Sequence, residues 1–307
     1  MTGTGTQADP YIITSVADIY SMETLGGAAV YFELGADIDF NGTPYAENFS
    51  PIPLKCLSFD GKGHSITNIF VSDSSSNSNL FTVPFQDSQT ITFKDLTLSN
   101  ISLTGRNITF FSYYGSGSCT INLYGCTFST VIDLRNVCCV MKSNLGLNAE
   151  LCTFSFSGMI CSSMPFFISD TLRRCHIHLE LLQLSGPDHE SSNTEYCFFT
   201  GGCSVSDSYI TGSLTGYSGF PSNAASCMTG WECSFSNFYS ALAFSGIPYC
   251  IWDGTYNYAC FYDRELSGIA YSRHYDEEYQ VFLPLTTAQC KNAAYLQSIG
   301  FVVEGGN

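Results

Sequence analysis

The stretch Asn122–Leu134, NLYGCTFSTVIDL, is echoed by ELCTFSFSG at Glu150–Gly158 and RRCHIHLEL at Arg173–Leu181. It returns as WECSFSNFY at Trp231–Tyr239 and YACFYDREL at Tyr258–Leu266. In each, a cysteine is followed two places on by a large apolar residue. Aligning the chain on Cys126 gives the rungs Ile38, Ile69, Leu96, Cys126, Cys152, Cys175, Ser208, Cys233 and Cys260, at intervals of 31, 27, 30, 26, 23, 33, 25 and 27 residues. Two places on stand Phe40, Val71, Leu98, Phe128, Phe154, Ile177, Ile210, Phe235 and Tyr262, all apolar or aromatic. The residues between are mostly polar. That alternation places one side of a short strand inward and the other outward.

A short strand recurring at such a period marks a solenoid. Helical repeats would need longer apolar runs, and a leucine-rich pattern is missing. The expectation is an all-β, single-stranded parallel β-helix of about nine coils stacked about 4.8 Å apart. Parallel stacking sets like residues over like. Ile69, Leu96, Cys126, Cys152, Cys175, Cys233 and Cys260 are therefore read as an inward structural ladder in which small, apolar-behaving thiols pack.

The composition fits. The chain of 307 residues is 12% charged and carries a formal net charge of −16. Such acidity argues against nucleic acid as a partner. No apolar run approaches the roughly 20 residues of a membrane-spanning helix, so membrane insertion is not expected. MTGTGTQADPYIITS has neither a basic n-region nor an apolar h-region. The expectation is a chain used without export, or one whose leader has been removed. Fifteen cysteines without paired CxxC motifs at zinc spacing point to reduced packing thiols rather than metal ligands.

Open strand edges at solenoid ends need covers. Val16, Ile19 and Tyr20 after Ser15 predict a helix over 15–25, with Ser15 as N-cap. Thr286 or Thr287 opens a second helix that stops at Gly300. The expected organisation is one structural domain, with a cap segment at 1–30, the β-helix at 31–275 and a closing segment at 276–307.

GTGTQADPYIITSVADIYSM (Gly3–Met22), YFELGADIDF (Tyr31–Phe40) and FDGKGHSITNIFV (Phe59–Val71) resemble the opening coils of GLUG-repeat, adhesin-type β-helix proteins of gut bacteria and their phages. SDSYITGSLTG (Ser206–Gly216) is similar to the repeat strand, and LTTAQCKNAAYLQSIGF (Leu285–Phe301) to the closing segment, without the tryptophan that usually follows. The resemblance covers residues 3–71 and the tail. It implies a right-handed parallel β-helix used in adhesion or as a module of phage particles, with no cofactor and no catalytic set to transfer.

The sites weighed are few. His176 and His178 flank Ile177 and share one strand face, a pair able to chelate metal, but a third ligand is not evident and no metal is expected. Glycan cleavage needs clustered carboxylates. Between Leu96 and Cys233 the acids do not repeat at one offset beside a base, so no catalytic residue is assigned. Tyr113, Tyr114, Tyr217, Phe220, Tyr239, Trp252, Tyr256 and Tyr258 fall near Gly, Ser and Asn, and such aromatics suit sugars and protein epitopes. The expected function is a non-enzymatic virion component: a phage fibre, spike or head-decoration protein that binds a host-surface glycan or protein and other virion proteins, as a homotrimer. The alternatives are a secreted or cell-surface adhesin and, third, a polysaccharide depolymerase.

Overall fold

The computed structural model describes residues 1–301 except 46–48, 73–78, 84–88, 106–107, 114–118, 135–141, 144, 161–165, 169, 185–197, 219–224, 230–232, 248, 252–255 and 269–281. The chain forms a parallel β-solenoid with a few short helices, as the strand periodicity predicts. It divides into two compact units, Met1–Ser155 and Phe156–Asn307.

Three parallel ladders build the first unit. One runs through Tyr31–Leu34, Ser58–Asp60, Gln89–Lys94, Cys119–Tyr124 and Gly146–Glu150. The second runs through Ile38–Asp39, Ser65–Ser72, Thr97–Gly105 and Thr127–Leu134. The third joins Ile52–Pro53, Asn79–Val83, Thr109–Tyr113 and Lys142–Ser143. Inward residues fill the space between the ladders. Phe59, Phe81, Phe93, Phe111, Phe128 and Phe154 are buried, and the Phe81–Phe111 and Phe128–Phe154 rings stack 5.3 Å apart.

The second unit repeats the plan. His176–Gln183 pairs with Tyr209–Gly216, which pairs with the twelve-residue strand Ser234–Ser245, then Tyr256–Asp263 and Leu283–Leu285. Among the described residues the solenoid has about five turns, which corrects the expected count of nine coils.

One backbone device turns the chain at each coil. Asp95, Gly125 and Leu151 in the first unit, and Arg174, Asp207, Asn237 and Ala259 in the second, all have φ between 45° and 64°. Each bends the chain sharply from one ladder into the next, at some cost in strain for the non-glycine residues. The residue after each turn points inward: Leu96, Cys126 and Cys152, then Cys175, Ser208, Phe238 and Cys260.

This register corrects two members of the expected ladder. Ile69 lies opposite Ile101, not Leu96: Ser65 is in register with Thr97, so the residue beside Leu96 is His64. Cys233 lies beside Cys203, since Ser204 is in register with Ser234 and Ser234 N donates to Cys203 O at 2.8 Å. The partner of Ser208 is Phe238: Tyr239 N donates to Ser208 O at 3.2 Å. Leu96, Cys126, Cys152, Cys175 and Cys260 occupy the post-turn corner. All seven expected ladder residues are buried.

Helices sit at the chain ends. Helix α1, Val16–Leu25, begins where Ser15 accepts from Asp18 N, and buries Val16, Ile19 and Met22. Helix α2 is Arg264–Ser267. The closing segment forms two helices rather than one: α3, Thr287–Cys290, with Thr286 and Gln289 in a reciprocal capping box, and α4, Ala293–Ser298, capped by Asn292. Leu296 is buried with Phe261 and Leu285, and Tyr295, Ile299 and Phe301 pack against them. No described helix is long and apolar enough to cross a membrane.

Candidate functional site

The outward residue after each corner defines a column on the second ladder. In the second unit it holds His176, Tyr209, Tyr239, Phe261 and Leu283, each opposite the next in register. The far end of this column is covered. Phe261 is 2% exposed, lies 4.7 Å from the rings of both Tyr239 and Phe301, and sits under the residues of α4. Burial and the nearby Cys290 and Asp263 push the Tyr239 hydroxyl up to about 12. Tyr239, expected from sequence as a ligand contact, is thus half-buried and engaged with the cap.

The near end is open. Tyr209 is 44% exposed and stacks on His176, with ring centroids 4.4 Å apart and planes 16° from parallel. Thr211 Oγ1 lies 2.8 Å from His176 Nε2 and 2.9 Å from His178 Nδ1. One hydroxyl thus serves two imidazoles, donating to one and accepting from the other while both rings are neutral. His178 Nε2 is 3.3 Å from Glu180 Oε1. Burial, then the neighbouring His178, holds His176 below its ordinary value, so it stays neutral near pH 7. Alternation along Tyr209–Gly216 and His176–Gln183 sends these side chains outward while Ile177, Leu179, Ile210 and Leu214 go inward. The two histidines were noted from their spacing. Thr211 and Tyr209 were not, because only the cross-strand register brings them there.

Tyr217, at 44% exposure, follows the same strand, with its N donating to Gln183 O at 3.1 Å. Tyr113, Tyr256 and Tyr258 lie on strands but their side chains are outside the described residues, and Tyr114, Phe220 and Trp252 are outside them altogether.

Other reactive groups have structural partners. Asp263 is buried, caps α2 through its Oδ1, and accepts from Thr287 Oγ1 at 2.9 Å. Asp39 Oδ1 accepts from Asn68 Nδ2 at 2.6 Å, and Asn100 Nδ2 donates to Asn68 Oδ1 in turn. None of the nine described cysteines is in a disulfide, and eight are buried. Burial pushes the thiols of Cys119 and Cys290 up to about 11 and that of Cys56 higher still. Among the described residues, no three His, Cys, Asp or Glu side chains converge to hold a metal ion.

No protein-family model and no curated protein matches the chain. Among solved structures, it is similar to the crystal structure of a Bacteroides ovatus protein described as a candidate immunoglobulin A1 protease. The TM-score is 0.46 and the identity 15%, over 88% of this chain and 86% of that one. A likeness at that level bears on neither activity nor substrate.

Proposed function

We propose that the chain is a non-enzymatic, adhesin-type β-solenoid that binds a neutral glycan on the open face formed by Tyr209, His176 and Thr211. The stacked Tyr209–His176 pair carries the reading. Exposed rings flanked by hydroxyls cover the apolar face of a sugar and bond its edge. A net charge of −16 disfavours anionic ligands. Away from the face, Asp263 and Asp39 are bonded in a cap and a turn, and eight of the nine described thiols are buried. The proposed setting is a virion appendage of the GLUG-repeat adhesin type, assembled as a homotrimer where thiols stay reduced. Buried thiols without disulfides support that setting.

The test is binding of the intact protein to a panel of bacterial surface glycans, with Tyr209→Ala beside the wild type. Binding weakened at least tenfold, with the fold retained by circular dichroism, is expected. Equal binding by the variant would move the site elsewhere. Release of new sugar ends from a bound glycan would replace the binding reading with depolymerisation. Recovery with a cell envelope rather than a particle would favour the cell-surface adhesin, and native mass measures the trimer.

A further inference from the structure

Two pairs of thiols lie on neighbouring rungs, one pair in each compact unit. In the first, Thr153 N donates to Cys126 O at 2.9 Å, which sets Cys152 on the rung beside Cys126. Both side chains are buried, and each Sγ points at the carbonyl two residues back, Cys126 to Tyr124 O at 3.5 Å and Cys152 to Glu150 O at 3.3 Å. In the second, the Ser204–Ser234 register sets Cys203 beside Cys233, again both buried. Cys203 Sγ reaches Phe167 O at 3.4 Å. Within each pair the two thiols also hydrogen-bond each other. Neighbouring rungs are about 4.8 Å apart, inside the roughly 4.4–6.8 Å Cα range of a disulfide. The S–H···O contacts that hold the present rotamers are weak, so turning the sulfurs toward each other costs little. On one side, Cys119 faces Gln89, Cys175 faces Ser208 and Cys260 faces Phe238.

We propose that Cys126–Cys152 and Cys203–Cys233 are latent cross-rung staples, which close to disulfides by exchange with a small-molecule disulfide and tie one coil of each unit to the next. One thiolate of the pair attacks a sulfur of the small disulfide and releases one small thiolate. The second cysteine then attacks the protein sulfur of the mixed disulfide, forms the Sγ–Sγ bond and releases the other. The two protons from the cysteines end on the two small thiols, and the two electrons lost by the pair reduce the small disulfide. Because all four side chains are buried, closure takes place as coils assemble or open locally.

In each pair the two thiols shift each other's ionisation. The hydrogen bond with Cys152 lowers the Cys126 thiol against the opposing effect of burial. The bond with Cys233, then burial, raises Cys203.

The experiment refolds the full chain from urea in a mixture of oxidised and reduced glutathione. Proteolysis and non-reducing mass spectrometry then map the links over time. Cross-linked peptides joining Cys126 to Cys152 and Cys203 to Cys233 are expected, with a melting temperature several degrees higher that dithiothreitol reverses. Cys175→Ala should leave both links, and Cys126→Ala should remove the first while keeping the second. If a variant fails to fold, the wild-type map decides alone. Fifteen titratable thiols after oxidative refolding, or links joining other cysteines, would overturn the proposal.

Discussion

Two places after the left-handed residue stand Thr97, Thr127 and Thr153 in the first unit, and His176, Tyr209, Tyr239 and Phe261 in the second. The backbone solution is shared. The corner residue turns, the next packs inward and the one after faces out. Inward choices stay within a narrow set of Leu, Cys, Ser and Phe because the core fixes their volume. Outward choices are released from packing, so they record what each surface meets. In the first unit that surface is hydroxyl and amide: Asn148 Nδ2 donates to Asn122 Oδ1 at 3.0 Å, and Glu33, Lys62 and Asp60 form ion pairs. In the second it is aromatic, open at Tyr209 and closed by the cap at Phe261.

If the units share one packing rule, truncating a core ring should hurt both alike. Phe128→Ala removes a ring stacked on Phe154, and Phe235→Ala one set 5.1 Å from Phe238 and 5.5 Å from Phe199 and Phe282. Each should destabilise by about 3–5 kcal/mol in denaturant unfolding. A large loss in one unit and almost none in the other would break the equivalence.

Backbone demands come next, and there the units diverge. Gly212 has φ of 110°, and a Cβ on it would meet Leu179 O at 1.9 Å. Gly212→Ala should cost at least about 2 kcal/mol, since both strain and a backbone clash oppose it. The left-handed Asn68 instead gains from its amide bond to Asp39. Asn68→Ala should cost about 1–2 kcal/mol, measured the same way.

The surface swap addresses the comparison itself. Thr127→Tyr and Tyr209→Thr exchange outward residues at equivalent corners. Each should alter stability by less than about 1 kcal/mol, while only Tyr209→Thr weakens glycan binding. Loss of binding from Thr127→Tyr would place recognition in the first unit.

Much of this architecture was legible in the chain. Alternation around Cys126, Cys152 and Cys175 identified strands with one inward face, and Ser15 with Val16 and Ile19 marked α1. The register was less legible. A small apolar residue is wanted at more than one corner of a coil, so Cys233, followed by Phe235 like the true rungs, passed for the post-turn position that Phe238 holds. The left-handed Asn100 adds a residue without a glycine to announce it, so Phe128 meets Leu98 but Thr130 meets Ile101. The open face was half visible: His176 and His178 lie two apart in sequence, but Thr211 and Tyr209 arrive from the next coil, 33 residues on from His178 and His176 respectively. Pairings across coils depend on the lengths of the intervening segments, which residue types alone do not encode.

The smallest expected effect is the pH response of that face. Burial first, and His178 second, lower His176 from its ordinary 6.5. Above that value both folded and unfolded chains hold a neutral ring, and His176 contributes nothing to the pH dependence of stability. Below it the unfolded chain takes up the proton first, so stability falls as pH drops toward the folded-state value. His176 keeps contact with solvent, so the loss is modest. Glycan binding should weaken over the same window, because a doubly protonated His176 can only donate to Thr211 and sets a positive charge beside His178. His176→Gln keeps a hydrogen-bonding group without the titration. Its unfolding midpoint should vary less between pH 7 and pH 5 than that of the wild type, and an unchanged slope would show that His176 titrates alike in the folded and unfolded chains.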